Sequence, residues 1–327
     1  MSIMIVGGAG YIGSQTAKLV AAAGLEPIVF DNLVYGHEWA VKWGPLVRGD
    51  LADRALLVDV MKRHRVDAVI HFAAYAYVGE SVTIPRKYFG NNVTGTLSLL
   101  DAMLDAGVRD VVFSSTCATY GEPVRVPIAE DHPQSPVNPY GETKLSVEKM
   151  LHWYGQAYGL RYAALRYFNA AGADPDGEIG EEHDPETHLI PLAIDAALLP
   201  TAQLKVFGTD YPTPDGTAIR DYIHVVDLAD AHLRALAKLR EGNPALRLNL
   251  GTGQGHSVRA VVAAVEKVTG RAVRLQETGR RAGDPPALVA DARLAAATLG
   301  WKPRYAELET IVEHAVRWRE RRVPAAQ

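Results

Sequence analysis

The chain has 327 residues, a formal net charge of −4 and one cysteine, Cys117. Hydrophobic residues make up 48% and charged residues 22%, values that exclude a disordered, collagen-like or disulfide-stapled chain. The slightly acidic charge argues against nucleic acid as the main partner, and no apolar run approaches the roughly 20 residues of a membrane span. The length predicts about two domains, and the lone cysteine and the absence of a signal-peptide pattern predict a cytoplasmic protein.

Short apolar strands alternate with helices along the first part of the chain. The pattern predicts strands over residues 3–6, 27–30, 68–72 and 110–114 and helices over 12–23, 51–64, 92–106 and 145–153. Strands that are apolar on both faces are typical of a parallel sheet covered by helices. The fold class predicted is therefore α/β, a Rossmann-type doubly wound parallel sheet. Glycine-rich polar loops are predicted at 172–184 and 211–216, and the weaker alternation after Gly172 predicts a smaller α/β substrate domain.

A glycine-rich turn directly follows the first predicted strand and opens the first helix. It reads Gly-Gly-Ala-Gly-Tyr-Ile-Gly over residues 7–13, with Gly7, Gly10 and Gly13 at the fingerprint positions. Glycines allow a tight turn and the close approach of a pyrophosphate, which the helix N-terminus binds. Asp31 ends the second strand, where an acid binds ribose hydroxyls. Because Asn32 follows and no arginine stands nearby in sequence, NAD is predicted rather than NADP.

A second group of polar residues follows the strand at 110–114. Thr116 stands at that strand's carboxyl end, and Tyr140 and Lys144 are spaced i and i+4 on one helix face. A lysine ammonium beside a tyrosine hydroxyl lowers its pKa, which makes Tyr140 a usable base near neutral pH. The sequence therefore predicts catalysis by Thr116, Tyr140 and Lys144.

Acidic residues and histidines are also dense between residues 181 and 188. The run Glu-Glu-His-Asp-x-Glu-x-His offers metal-ligating side chains, but its spacing matches no established metal-binding pattern. A solvated loop is the interpretation adopted, and no metal is predicted.

The motifs together resemble the extended short-chain dehydrogenase/reductases, and within them the UDP-glucose (UDP-galactose) 4-epimerase family. The resemblance covers nearly the whole chain. Its landmarks after the glycine-rich turn are residues 31–33, 49–51, 71–74, 78–81, 91–96, 113–116, 140–144, 166–169, 220–225 and 281–284.

The resemblance implies a role for each matching residue. Tyr140 is the expected base, Lys144 its partner and a nicotinamide-ribose ligand, and Thr116 positions the sugar hydroxyl. The residues expected to bind NAD are Gly7, Gly10, Tyr11, Ile12, Gly13, Asp31, Asn32, Asp50, Leu51, Phe72, Ala73, Ala74, Asn91, Ser114, Tyr140, Lys144 and Tyr167. The residues expected to bind the UDP-sugar are Thr116, Tyr140, Asn169, His188, Leu189, Phe207, Arg220, Arg281 and Asp284.

The same resemblance implies the domain organisation and the reaction. Residues 1–169 plus about 219–252 are expected to form the NAD-binding Rossmann domain, and about 170–218 plus 253–327 the sugar-nucleotide-binding domain. The expected reaction is reversible C4 epimerisation of UDP-hexoses through a transient 4-keto sugar, with tightly held NAD. A homodimer formed through the helices at 92–106 and 140–158 is expected by analogy.

Three alternatives stay open. Leu288 stands where some members have a bulkier tyrosine, so UDP-N-acetylglucosamine is a candidate substrate, as are UDP-xylose and UDP-glucuronate. A sugar-nucleotide 4,6-dehydratase needs an acid pair beside the threonine, whereas Cys117 and Ala118 follow Thr116. A non-catalytic NAD-binding sensor would not require Tyr140 and Lys144.

Overall fold

The computed structural model describes residues 1–281 and 283–322. Ala282 of the 281–284 motif and the last five residues of the expected second domain lie outside the described residues. The strands are β1 (Ser2–Val6), β2 (Glu26–Asp31), β3 (Leu46–Arg48), β4 (Val66–His71), β5 (Asp110–Thr116), β6 (Arg161–Tyr167), β7 (Asn169–Ala171), β8 (Leu204–Phe207), β9 (Ile219–His224), β10 (Ala245–Leu250), β11 (Gly255–Ser257), β12 (Leu275–Thr278) and β13 (Ala287–Leu288). The helices are α1 (Tyr11–Ala22), α2 (Arg54–Arg63), α3 (Val78–Thr83), α4 (Pro85–Tyr88), α5 (Thr96–Ala106), α6 (Pro139–Tyr158), α7 (Leu189–Leu198), α8 (Val225–Arg240), α9 (Val258–Thr269), α10 (Arg293–Leu299) and α11 (Leu308–Arg322).

Seven of the strands form one fully parallel sheet. Their order is β10-β6-β5-β4-β1-β2-β3. The chain runs outward from β1 through β2 to β3 on one side and through β4 to β10 on the other, so the direction of winding reverses at β1. Ligands of doubly wound sheets bind above the carboxyl ends of the strands at this switch point. The predicted fold class is confirmed.

The central strands of the sheet are buried on both faces because apolar residues occupy most of their positions. Along β1, Ile3 and Ile5 point to the face covered by α1 and α8, and Met4 and Val6 to the face covered by α2, α5 and α6. All five residues of β1 are buried. The two-residue alternation of a strand thus divides one apolar segment between two cores.

A second group of elements lies outside this sheet. Strand β9 pairs with β7, β11 and β13, while β8 pairs with β12. Helices α7, α9 and α11 share an apolar core that includes Ile190, Val261 and Val312. Between these elements, α8 and β10 return to the seven-stranded sheet, and α10 packs against them. The boundaries of the two domains stay a prediction.

Two predicted helices differ from the observed ones. The predicted helix over 92–106 is a wide helical turn over Phe89–Gly95 followed by α5. The predicted helix over 145–153 is the middle of α6, which begins at Pro139 after the side chain of Asn138 accepts a 2.8 Å hydrogen bond from the backbone N–H of Gly141. An asparagine cap followed by proline is a strong start signal, and it places Tyr140 in the first turn. Within the described residues, none of the helices has the length and apolarity needed to cross a bilayer.

Candidate active site

The glycine-rich turn between β1 and α1 is formed by close backbone packing. Gly7 has φ of +81°, and a Cβ atom there would lie 2.5 Å from the backbone nitrogen of Ala73, which follows β4. At Gly13 a Cβ atom would lie 2.2 Å from the carbonyl oxygen of Gly7, so only glycine lets α1 approach the turn. No side chain caps α1 at Gly10, which leaves the N–H groups of its first turn available to an anion.

Asp31 is held at the end of β2 beside this turn. Its carboxylate accepts hydrogen bonds from the backbone N–H groups of Ala9 (3.0 Å) and Leu33 (2.8 Å). Burial raises the pKa of Asp31, and the two N–H donors act against that rise. No arginine follows Asp31 closely in sequence, but parallel pairing places exposed Arg48 of β3 in register with it. Sequence distance concealed this neighbour, so a preference for NAD here depends on the Asp31 carboxylate.

The other residues predicted to bind cofactor follow neighbouring strands. The N–H groups of Phe72 and Ala73 both donate to the carbonyl of Val6, at 2.7 and 3.0 Å, which joins the end of β4 to the turn after β1. Asn32 donates to the Asp50 carboxylate at 2.9 Å. The remaining members are Leu51, which is buried, Ala74, and Asn91, whose amide donates to Asn92 at 3.0 Å. The strand ends thus place Phe72, Ala73, Asn32 and Asp50 along the carboxyl edge of the sheet.

The predicted catalytic residues lie at the same edge, where β5 meets the start of α6. The Lys144 Nζ atom donates to the carbonyl oxygen of Ser114 at 2.8 Å and lies 5.9 Å from the centre of the Tyr140 ring. The Thr116 side chain faces the Tyr140 hydroxyl. The hydroxyl of Ser114 is hydrogen-bonded to that of Tyr167 at the end of β6. The structure therefore brings these five residues together.

Burial dominates the protonation of this group. It raises the pKa of Tyr140 to about 12, although the contact with Thr116 acts in the opposite direction. It lowers the pKa of Lys144 to about 7. The predicted lowering of the Tyr140 pKa by Lys144 is therefore wrong for the chain alone. The amine is directed at a backbone carbonyl, and neither group has enough water around it to favour its charged form.

Sequence reasoning missed the residues that hold Tyr140 in place. The hydroxyl of Ser81, fully buried on α3, accepts a 3.2 Å hydrogen bond from the backbone N–H of Tyr140 and donates to the carbonyl of Val78 at 2.6 Å. Asn92 donates to the Thr143 hydroxyl at 3.1 Å. Ser81 and Asn92 lie within the motifs at 78–81 and 91–96, but their link to α6 emerges only in the fold.

A buried ion pair supports β5 from below. The Glu148 carboxylate of α6 accepts from Arg166 Nε at 2.9 Å and Nη2 at 2.5 Å, and from the hydroxyl of Ser115 at 2.5 Å. Both charged side chains are 3% exposed. Arg166 also donates to the hydroxyl of Tyr120 at 2.9 Å. This network joins α6, β5 and β6 directly beneath Thr116 and Tyr140.

The residues predicted to bind the sugar nucleotide come from several elements. Arg220, on β9, forms an ion pair with Asp284. Leu288 of β13 lies in register with Arg220. The Arg281 guanidinium lies 3.9 Å from the centre of the Phe207 ring. The remaining predicted residues are Asn169, which donates to the carbonyl of Asp221 at 3.1 Å, and His188 and Leu189 at the start of α7. The pairing of β7 with β9 thus places Asn169 and Arg220 in one sheet.

The loop between β7 and α7 is only partly solvated, since four of residues 181–188 are exposed, His188 among them, and the other four are half-buried. The side chains of Glu181, Glu186 and His183 are only 7%, 15% and 20% exposed. The ligating atoms of these three residues and of His188 all lie within 4.8 Å of one another. The contacts between the two acids and the two histidines raise the pKa of His183 to about 9 and that of His188 to about 10. The loop folds back on itself, which linear spacing does not reveal.

Comparison with known proteins agrees with this geometry. Residues 3–251 match the model of the NAD dependent epimerase/dehydratase family. A UDP-glucose 4-epimerase of Rhizobium meliloti is 55% identical over 98% of each chain. The crystal structure of UDP-glucose 4-epimerase from Brucella ovis in complex with NAD has a TM-score of 0.94 at 57% identity and covers 96% of this chain and 97% of that chain. The UDP-Glc/GlcNAc 4-epimerase of Campylobacter jejuni has a TM-score of 0.85 at 39% identity over 98% and 99% of the two chains.

The chain therefore belongs to the NAD dependent epimerase/dehydratase family. The resemblance that the sequence motifs predicted is confirmed, and so is NAD as the cofactor of this family.

Proposed function

We propose that this chain interconverts UDP-glucose and UDP-galactose by inverting the sugar at C4, with NAD held as a resident cofactor. The observation that carries the proposal is the convergence of Thr116, Tyr140 and Lys144 on the sheet edge that also carries the glycine-rich turn. Relatives named UDP-glucose 4-epimerase match over nearly the full chain and support the substrate class.

The residues of the sheet edge fit a dinucleotide. The uncapped first turn of α1 offers N–H groups to a diphosphate, and the Asp31 carboxylate stands where ribose hydroxyls would donate. Side chains at Gly7 or Gly13 would collide with the neighbouring backbone, so the turn keeps the close packing that brings its N–H groups to the surface. When bound, NAD supplies a reversible acceptor and donor of two electrons, which leaves the overall reaction without net oxidation.

The side chains of the chain supply orientation and proton transfer. Thr116 binds and orients the C4 hydroxyl of the sugar, and the Tyr140 oxygen takes its proton as C4 is oxidised to a ketone. The same Tyr140 proton returns to the sugar oxygen when the opposite face of C4 is reduced. Lys144, held by the Ser114 carbonyl, places a positive charge near Tyr140 when it is protonated. Arg220 is a charge-assisted donor for the UDP diphosphate.

The residues after Thr116 disfavour elimination of water. Cys117 and Ala118 occupy the positions where a dehydratase needs an acid and a base. Cys117 is buried among Tyr120, Ile128 and Phe168, and this burial raises the pKa of its thiol to about 12. A neutral thiol turned into an apolar cluster is a poor proton donor and a poor base at neutral pH.

The decisive test is turnover of a panel of UDP-sugars by the purified chain with no added NAD. UDP-galactose and UDP-glucose should interconvert, and NAD should be released from the denatured protein. Tyr140→Phe should lower kcat by about 10²- to 10⁴-fold, because it removes the base, and should leave NAD bound. The exposed Tyr158→Phe, on the same helix, is the matched control. Full activity of Tyr140→Phe would contradict the mechanism, and NAD binding without turnover would indicate a sensor.

A wider substrate range follows from Leu288. This side chain packs against the cluster around Cys117 and lies in register with Arg220. Leucine occupies less volume than the tyrosine expected in some relatives, which leaves room beside the sugar for an N-acetyl group. We propose that the chain also accepts UDP-N-acetylglucosamine, an activity that the name of the Campylobacter jejuni relative also includes.

We further propose a cytoplasmic homodimer. Leu97 on α5 and Trp153 and Tyr158 on α6 are 41%, 66% and 56% exposed, an apolar set on the two helices expected to form the interface. Trp153→Arg should halve the mass measured by light scattering during gel filtration. Val124→Arg changes an 81% exposed apolar residue elsewhere and should leave the mass unchanged. A monomeric wild-type chain would refute the dimer.

A further inference from the structure

Four potential metal ligands meet in the loop between β7 and α7. Glu181 Oε1 lies 3.3 Å from Nδ1 of His183 and 2.8 Å from Nδ1 of His188. The Glu186 carboxylate lies 3.5 Å from the first of these nitrogens and 2.8 Å from the second. Each acid therefore contacts both histidines, Glu181 through one oxygen and Glu186 through a different oxygen for each ring.

The spacing of these atoms is that of a coordination shell. In a tetrahedral zinc site with bonds of about 2.0 Å, neighbouring ligand atoms are about 3.3 Å apart. The four distances between nitrogen and oxygen here span 2.8 to 3.5 Å. Two imidazoles and two carboxylates suit a divalent transition metal, since magnesium and calcium prefer oxygen ligands alone.

Hydrogen bonding within the loop leaves a ligand atom unused. Nδ1 of His183 is shielded from solvent and makes no hydrogen bond of good geometry to any described residue. One oxygen of Glu186 is fixed by the backbone N–H groups of Thr187 (2.7 Å) and His188 (2.8 Å). Such outer contacts orient metal-binding carboxylates. Its nearest acceptors are the carboxylates of Glu181 and Glu186, at 3.3 and 3.5 Å, so this nitrogen and these oxygens face one another without a well-formed hydrogen bond.

A neighbouring acidic cluster in the same loop shows the contrast. Asp174, Asp176 and Glu178 also lie close together, but all three contact the ammonium of Lys18. That cluster already has its cation. Among the described residues, no lysine or arginine forms an ion pair with Glu181 or Glu186, whose cationic contacts are the two histidines alone.

We propose that Glu181, His183, Glu186 and His188 bind one divalent transition-metal ion, of which zinc fits best. Four protein ligands complete a tetrahedral shell and leave no position for substrate, so the ion is structural, and His188 then binds the ion in place of the UDP-sugar contact predicted for it. The ion fixes the loop that leads into α7. The imidazole ring of His183 packs edge-on against the rings of Tyr11 and Tyr77. The ion thereby connects the loop to the first turn of α1.

The test measures metal in the full chain, purified without a polyhistidine tag. After equilibration with zinc and removal of loosely held ions, mass spectrometry should find about one zinc per chain. Glu181→Gln and His183→Asn should each weaken the zinc Kd by at least about tenfold and leave little retained zinc. Zinc should also slow hydrogen exchange at residues 181–188 in the wild-type chain. These measurements do not use catalytic activity, so they stand apart from the proposed reaction.

Glu178→Gln is the matched control, because it makes the same change in the cluster that Lys18 occupies. Its zinc content should equal that of the wild-type chain. Circular dichroism and NAD content establish whether each variant is folded, and titration of the wild-type chain tests the site even if a variant is not. Another divalent transition metal, retained at the same ratio and lost from the same variants, supports the site. Retention of less than about 0.1 metal ion per wild-type chain, or equal zinc in Glu181→Gln and Glu178→Gln, would overturn the proposal.

Discussion

Replacing Lys144 with methionine should stabilise the fold near neutral pH while it abolishes the proposed function. Lys144 is 2% exposed, and burial lowers its pKa from 10.5 to about 7. A lysine in the unfolded chain keeps a pKa near 10.4, so the unfolded state binds more protons between these two values. Lys144 therefore does not lower the free energy of unfolding above pH 10.5, where it is neutral in both states. The free energy of unfolding falls as the pH decreases from 10.5 toward 7, because the unfolded chain binds the proton first.

The magnitude follows from the size of the shift. A change from 10.5 to about 7 corresponds to about 4–5 kcal/mol of unfolding free energy lost at pH 7. Methionine removes this penalty, but it leaves the Ser114 carbonyl without its 2.8 Å donor, at a cost of about 1–3 kcal/mol. Lys144→Met should therefore be more stable than wild type by about 1–4 kcal/mol at pH 7 and less stable by about 1–3 kcal/mol at pH 10.5.

The assay is urea unfolding of the chain, refolded without NAD, at several pH values between 6 and 10.5. All other titrating groups are common to both proteins, so the difference between their unfolding free energies isolates Lys144. Lys149→Met is the matched control, because Lys149 lies on the same helix and is exposed. Its difference from wild type should stay within about 0.5 kcal/mol at every pH. A difference for Lys144→Met that does not change sign with pH would refute the reasoning.

Two further predictions test the surroundings of the site. Leu288→Tyr should lower kcat/KM for UDP-N-acetylglucosamine about tenfold or more and should change kcat/KM for UDP-glucose little. The control is Leu294→Tyr, at an exposed leucine. Equal losses for both substrates would contradict the role of Leu288. Glu148→Gln should lower the free energy of unfolding by about 3–5 kcal/mol, because it leaves the buried guanidinium of Arg166 without a counter-charge. Glu309→Gln, in an exposed ion pair, should cost less than about 1 kcal/mol, and similar losses from the two variants would show that burial does not decide the effect.

Local backbone requirements were predictable from the sequence. The turn at residues 7–13 needs glycines because Gly7 and Gly13 pack against backbone atoms of neighbouring segments. The glycine spacing alone therefore predicts the conformation of the turn. The fold class follows for a similar reason, since each of the four apolar residues of β1 faces one of two apolar cores. The glycine-rich turn and the apolar strand are each recognised from a few consecutive residues, and the same residues determine the local backbone structure.

Contacts between distant segments were not predictable in the same way. Strand β6 escaped prediction although five of its seven residues are apolar, because buried Arg166 interrupts the pattern. Its charge is acceptable only beside Glu148 on α6. Arg48 likewise becomes a neighbour of Asp31 only through the pairing of β2 with β3. The convergence of Glu181 and His188 depends on how a whole loop folds.

The catalytic pair shows why spacing on a helix does not determine charge. The i and i+4 positions of Tyr140 and Lys144 place them on one face, as the sequence predicts, yet burial favours the neutral form of both. A base must lose its proton to act, so Tyr140 needs a positive charge close to its oxygen. In the chain alone the Lys144 amine donates to the Ser114 carbonyl, and the Thr116 contact is the interaction that lowers the Tyr140 pKa. The shared helix face therefore brings the two side chains together, whereas burial decides which protonation state each one favours in the chain alone.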